Sequence, residues 1–123
     1  MHKLTRSYED YLEALYVLEK NDKNVRSVDV ASRLGVSRPA VSKTINEIKT
    51  LGFLTQSRYR AINLTDSGRK IGGTIFEKHT LIKKFLIHIG VDEAIAEVDC
   101  CKMEHVVSDE TLTAFKKILK EPK

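Results

Sequence analysis

Residues 28–51, VDVASRLGVSRPAVSKTINEIKTL, leave the chain little freedom in how it can fold. Ala31, Gly35 and Val41 fall at offsets 0, +4 and +10, and each residue type has a steric reason to be there. Ala31 lets two helices approach closely. Gly35 supplies the positive φ that a sharp exit from the first helix needs. Val41 packs the second helix back on the first. Ser37 is a good N-cap for that second helix, and Pro39 falls in its first turn, where a missing N–H costs nothing. Val41, Ile45 and Ile48 recur at helical spacing and give it a buried face. This is the layout of a helix-turn-helix.

The opposite face of the second helix carries Arg38, Ser42, Lys43, Asn46 and Lys49, side chains that reach phosphates and base edges. Arg26, Ser37, Arg38, Pro39, Ser42 and Lys43 are therefore candidate DNA contacts. The formal net charge of +4 is unevenly placed: residues 26–60 hold seven Lys/Arg and only two Asp/Glu. That is the electrostatic footprint of a nucleic-acid partner. The alternative is a helical hairpin with a solvated basic face. A hydrophobic content of 41% supports a folded core, and no apolar run approaches a membrane span. The N-terminus turns polar at once and shows no signal peptide, so a cytoplasmic location is expected. The two cysteines, Cys100 and Cys101, are adjacent and cannot staple a fold, which leaves them as thiols or metal ligands.

On either side of this motif the pattern stays mainly helical. Ser7 is the expected cap of a first helix to about residue 20, with Tyr8, Tyr11, Leu12, Leu15 and Leu18 as its apolar stripe. Tyr16 and Val17 lie off that stripe, so the helix should touch something on its second side. After Gly52, FLTQSRYRAINLT reads as a short hairpin with Arg58, Tyr59 and Arg60 at its tip, a wing set against phosphates or a minor groove. Its alternative is a solvated turn. Thr65 should cap a long helix to about residue 89. Ile71, Ile75, Ile82, Leu86 and Ile89 form a narrow stripe along it, suited to a partner subunit, so Ile75, Ile82 and Leu86 are expected in a dimer seam. Gly72-Gly73 within it suggests a bend or a close helix approach. A fifth helix follows from Asp92 through VDEAIAEVDCCKMEHVV, and a sixth opens at Ser108 and stops at Pro122. The expected division is a winged helix-turn-helix DNA-binding domain at 1–70 and a helical metal-binding and dimerisation domain at 71–123.

In the fifth helix, Cys101, Glu104 and His105 stand at i, i+3 and i+4, within roughly a 100° arc. Cys101 and His105 share that arc with Ala94 and Val98, read as its inward side; Cys100 points off it. A thiol, a carboxylate and an imidazole facing inward make a poor core and a good half-site for a transition metal. A buried cysteine beside a hydrogen-bonded histidine is the alternative. Asp10 and Glu13 point away from the stripe of the first helix, and His79 sits on the shoulder of the long one. If the three helices converge, Asp10, Glu13, His79, Cys101, Glu104 and His105 supply donors for one metal or two adjacent ones.

The pieces YEDYLEALY, VASRLGVSRPAVSKTI, LTDSGRKIG, KHTLIKKFL and CKMEHVVSDE together resemble the diphtheria-toxin-repressor family of metal-dependent regulators, from about Ser7 to Leu119. The resemblance implies a homodimer that binds DNA when loaded with Fe²⁺ or Mn²⁺ and represses metal-uptake genes. Cys101, Glu104 and His105 match the main metal site of its iron-responsive branch, Asp10 and Glu13 match the manganese-responsive branch, and His79 is shared. The iron branch's ancillary site would want Glu at Lys83 and His at Glu97, so that site is not expected in its usual form. With the sequence ending at Lys123, an SH3-like third domain is not expected, which again resembles the manganese branch.

The resulting expectation is a homodimeric, metal-sensing repressor, not an enzyme, acting on an inverted-repeat operator in double-stranded DNA. Its cofactor is a divalent transition metal, Fe²⁺ favoured narrowly over Mn²⁺ because a thiolate widens the affinity gap between them. The rival in the same class is a winged-helix regulator that senses an organic ligand, with the polar cluster structural. A small metalloenzyme and a protein-interaction adaptor are rivals from other classes. The first lacks H-E-x-x-H, and the basic excess argues against the second.

Overall fold

The computed structural model describes residues 4–21, 24–57 and 61–120. Among these are six helices and one two-stranded sheet, in the order α1 (Arg6–Asn21), α2 (Ser27–Leu34), α3 (Arg38–Thr50), β1 (Leu54–Gln56), β2 (Ile62–Leu64), α4 (Asp66–His88), α5 (Glu93–Met103) and α6 (Asp109–Lys120). The chain is therefore mainly α with one wing hairpin, and it divides into two compact units, 1–74 and 75–123. The division falls inside α4, four residues beyond the boundary expected from sequence. No helix among the described residues is long and apolar enough to cross a membrane.

In the first unit, α2 ends on Gly35 at φ 67°, and its N–H reaches Ala31 O at 2.9 Å. Ser37 caps α3 by accepting from the Ala40 N–H at 3.2 Å. Val30, Ala31, Val41, Ile45 and Ile48 are buried with Tyr11, Leu12 and Leu15 of α1 and with Leu54, Ile62 and Leu64 of the wing. The wing strands pair antiparallel in the register Leu54↔Leu64, Thr55↔Asn63 and Gln56↔Ile62. The expected tip residues, Arg58, Tyr59 and Arg60, lie outside the described residues, as does Pro122. The first helix begins two residues earlier than expected, and Thr5 rather than Ser7 caps it, accepting from the Tyr8 N–H at 3.2 Å.

Thr65 does cap α4: its Oγ1 accepts from the Gly68 N–H at 3.2 Å and donates to Gly52 O at 2.9 Å. The glycines at its start mark close approach rather than a break, since α4 runs unbroken. A Cβ on Gly68 would collide with the Phe53 carbonyl, and one on Gly72 with the Leu12 carbonyl. A Cβ on Gly73 would stand 3.0 Å from the Tyr16 ring. This contact accounts for the off-stripe Tyr16 on α1.

The second unit has its own core. Ile82, Leu86, Ala96, Cys100 and Leu112 are buried, with Leu81, Val91, Met103, Val107 and Phe115 packed around them. Phe85 and Phe115 stack with ring centroids 3.9 Å apart. Ile75, Ile82 and Leu86, expected in a dimer seam, are all buried within the single chain. A stripe read from one helix cannot distinguish a partner subunit from the helices that follow it in the same chain. Asp92 caps α5, accepting from the Ala94 N–H at 3.2 Å, and Ser108 caps α6, accepting from the Thr111 N–H at 3.2 Å.

Candidate nucleic-acid interface and metal centre

On the first unit, every expected DNA contact among the described residues is exposed: Arg26, Ser37, Arg38, Pro39, Ser42 and Lys43. The core contacts of Val41, Ile45 and Ile48 turn the polar face of α3 outward. A polar groove runs between that face and the base of the wing, lined by Ser27, Ser42, Asn46, Lys49, Gln56 and Ser57. A second depression is lined by Arg26, Ser27, Val28, Arg38 and Ser42. Sequence reading missed Ser27, Gln56 and Ser57, which carry no charge. The alternation Leu54-Thr55-Gln56 in a three-residue strand is too short to show which way Gln56 faces. Hydroxyls, amides and lysines together suit a surface that makes both phosphate and base-edge contacts.

The second unit gathers its ligand-type side chains around His79, which projects from α4. Its Nε2 is 2.9 Å from Glu97 Oε2, and its Nδ1 is 3.6 Å from Glu104 Oε2. Cys101 Sγ lies 3.8 Å from His79 Nδ1, and His105 Nε2 lies 3.9 Å from Glu104 Oε1. The structure thus brings together His79, Cys101, Glu104 and His105. Asp10 and Glu13, the other two expected ligands, stand half-buried on α1 in the first unit.

Glu104 is the informative residue. It is 3% exposed, and its Oε2 accepts no hydrogen bond among the described residues. A buried carboxylate oxygen without a hydrogen bond is expensive, and such an atom asks for an explanation. A cation supplies one: imidazoles and carboxylates with one thiolate are a donor set for a divalent transition metal. The residues present therefore fit the group that the sequence implied.

Two details depart from the sequence reading. Helix α5 ends at Met103, with Glu104 as its C-cap and His105 in the following turn, so the ligands do not share one continuous helical arc. The buried side of α5 is Ala96 and Cys100, whereas Ala94 and Val98 are exposed. Cys100, expected to point away, is fully buried, with its Sγ 3.6 Å from both ring nitrogens of His79. Burial, with the negative charges of its neighbours, pushes the Cys100 thiol well above the ordinary cysteine range. Glu97 was likewise passed over as a departure from an ancillary site, yet it makes the short contact with His79.

Two family models match the chain. The N-terminal DNA-binding domain of iron dependent repressors matches residues 3–62, and their metal binding and dimerisation domain matches residues 65–123. The transcriptional regulator MntR of Escherichia coli O6:H1 is 39% identical over 108 residues, covering 88% of this chain and 70% of its own length. An uncharacterised HTH-type transcriptional regulator of Methanocaldococcus jannaschii is 34% identical and covers 92% of both chains. Among solved structures, the metal-dependent transcriptional regulator MtsR superposes with a TM-score of 0.84 at 31% identity, covering 97% of this chain. A manganese-dependent transcriptional repressor in complex with manganese gives 0.84 at 26% identity, covering 94% of this chain. The chain spans about half the length of these two structures, 56% and 53%. With both halves matched and curated relatives above 30% identity, this chain belongs to the iron-dependent (diphtheria-toxin) repressor family of metal-dependent transcriptional regulators.

Proposed function

We propose that the chain is a homodimeric repressor of metal-homeostasis genes, acting in the cytoplasm on an inverted-repeat operator and switched on by Mn²⁺ or Fe²⁺. The observation that carries this reading is the buried Glu104, one oxygen of which has no hydrogen bond among the described residues, between His79 and His105. Asp10 and Glu13 from the first unit join His79, Cys101, Glu104 and His105 as ligands. Metal acts as a switch only to the extent that its binding favours the DNA-competent state. An organic-ligand sensor is the weaker reading, because it leaves Glu104 unexplained.

Similarity to a manganese-dependent transcriptional repressor solved with manganese supports Mn²⁺ as an activator. The thiolate of Cys101 supports tighter binding of Fe²⁺, which also stands above Mn²⁺ in the general affinity order. Both ions should therefore activate, with Fe²⁺ at lower concentration. Because Cys101 must lose its proton to bind, affinity should climb with pH.

The dimer surface is sought among the exposed apolar side chains of the second unit: Ile87, Ile89, Ile95 and Val98. Ile95 and Val98, three apart on α5, share one exposed face. Wing residues Arg58, Tyr59 and Arg60 remain proposed phosphate contacts beside Arg26, Arg38 and Lys43.

The test is anaerobic titration of operator retention by the purified chain with Mn²⁺ and with Fe²⁺, followed by chelation. Saturable retention by both ions that chelation reverses is the expected result. Retention indifferent to chelator would overturn the switch. In sedimentation, Ile95→Glu should yield folded monomers where the parent is dimeric. A monomeric parent, with metal and DNA present, would overturn the assembly.

A further inference from the structure

We propose that His79, Glu97, Cys100 and Cys101 form a second, thiolate-rich metal site, contained within the second unit and suited to a tetrahedral d¹⁰ ion such as Zn²⁺ or Cd²⁺. One ligand atom from each of the four residues lies within 4.8 Å of the others. With Zn–S near 2.3 Å and Zn–N near 2.0–2.1 Å, sulfur and nitrogen ligands at the tetrahedral angle stand roughly 3.6 Å apart. Cys100 Sγ is 3.6 Å from each nitrogen of His79 and 3.5 Å from Glu97 Oε2, and Cys101 Sγ is 3.8 Å from His79 Nδ1. These separations already suit the ion. One ion takes one ring nitrogen: Nδ1, 3.6 Å from Cys100 Sγ and 3.8 Å from Cys101 Sγ, is that ligand, and Glu97 exchanges its 2.9 Å hydrogen bond to Nε2 for the metal.

The donor set selects the ion. Two thiolates with one imidazole and one carboxylate favour borderline and soft cations in four-coordination. The carboxylate-rich set proposed for Mn²⁺ and Fe²⁺ is harder. Each thiol releases its proton to solvent as its metal–sulfur bond forms. The loaded site would carry one net negative charge. Lys83 Nζ, 4.0 Å from Glu97 Oε2 and 3.9 Å from Glu93 Oε1, stands where it offsets that charge. A cysteine also serves as a small apolar filler, but the Cys100 sulfur faces an imidazole and a carboxylate.

No ligand of this site comes from the first unit. Two of them, His79 and Cys101, also belong to the set proposed for Mn²⁺ and Fe²⁺, so an ion that takes both of them leaves the other site short of ligands. An ion held by both thiolates occupies the chain without engaging Asp10 or Glu13, and so competes with activation. That consequence rests on the function proposed above; the site itself does not.

The test is anaerobic titration of the full chain with Cd²⁺, read by thiolate-to-metal charge-transfer absorbance, which scales with the number of thiolates bound. The parent should reach the amplitude of two thiolates per ion, and Cys100→Ser should reach half of it. Glu97→Gln alters a half-exposed side chain. It should keep the amplitude and weaken Cd²⁺ binding by about tenfold. The double variant Asp10→Asn/Glu13→Gln should bind Cd²⁺ like the parent while losing Mn²⁺-dependent operator retention. Its retaining the Mn²⁺ response would overturn the switch ligands and leave the thiolate site standing. One thiolate per Cd²⁺ in the parent, or loss of Cd²⁺ binding in the double variant, would overturn the site. If Cys100→Ser does not fold, the parent's amplitude and Glu97→Gln decide between these outcomes.

Discussion

The two units bury opposite kinds of side chain. The core cluster of the first is wholly hydrophobic, drawn from Tyr11, Leu12, Leu15, Val30, Val41, Ile45, Ile48, Leu54 and their neighbours. Among the described residues, its polar side chains include the caps Ser37 and Thr65 and the ion pair of Arg69 with Glu19. The second unit places a carboxylate, two thiols and two imidazoles in or beside its core. Helix packing alone gives no reason for that. A core that gives up apolar contacts for ligand groups is less stable without its metal, so binding becomes part of the folding free energy. Local rules are broken where function resides.

The largest test of this contrast is Glu104→Gln. The amide keeps the shape and removes a charge that is costly to bury. Metal-dependent operator retention should fall by about a hundredfold or more, in line with the loss of a first ligand. Thermal unfolding of the metal-free protein should not move down. A melting temperature that falls together with the metal response would make Glu104 a structural group and erase the difference between the units.

The same contrast governs what could be read from sequence. In the first unit every cue was local: Gly35 at positive φ, Ser37 as cap, Thr65 as cap, and an apolar period that matched its helices. There sequence and structure agree to within a residue or two. In the second unit the stripe of α4 was legible but what covers it was not, because Ile82 and Leu86 are buried with residues of α5 and α6 that lie well beyond it in sequence. The inward side of α5 was misread because a cysteine, a carboxylate and a histidine blur the apolar period. Val98 looked inward and Cys100 outward; the structure reverses both. His79, Cys101, Glu104 and His105 were legible from residue type and spacing. Glu97 was not, since nothing about a glutamate four before a cysteine marks it as a neighbour of His79.

A smaller test asks whether the first unit is as tightly assembled as its core suggests. In an exposed helix interior, Gly→Ala stabilises by about 1 kcal/mol. At Gly72 the new methyl meets the backbone carbonyl of Leu12 and the Tyr16 side chain, neither of which moves easily. Gly72→Ala should therefore destabilise by about 1–3 kcal/mol, the range for overpacking. Chemical denaturation at unchanged slope would measure it. A gain in stability would show that α1 and α4 have room to part.

The DNA face separates the units in another way, through salt. Lys43 is exposed on α3, outside the buried stripe. Lys43→Ala should weaken operator binding a fewfold and lower the slope of log affinity against log salt by about one, the mark of a single lost phosphate contact. The metal concentration at half-activation should stay unchanged. Unaltered affinity at every salt concentration would remove Lys43 from the interface.

The smallest effect is expected at Arg69, where the first unit comes closest to using charge structurally. Its Nε and Nη2 donate to the two carboxylate oxygens of Glu19 at 3.0 and 2.8 Å, and Nη2 also donates to Leu64 O at 3.1 Å. This fork ties the start of α4 to α1 and to the wing. Ordinary surface pairs contribute about 0–1 kcal/mol. Bidentate geometry places this one near the top of that range, while side-chain exposure of 43% for Arg69 and 26% for Glu19 keeps it there. Arg69→Ala should cost about 1 kcal/mol. Arg69→Lys should recover less than half of that, because an ammonium cannot reproduce the fork. The difference between parent and variant should shrink in high salt, as screening weakens a partly exposed pair. Full recovery by lysine would mean that position 69 needs only a positive charge, and that the fork adds nothing to the joint.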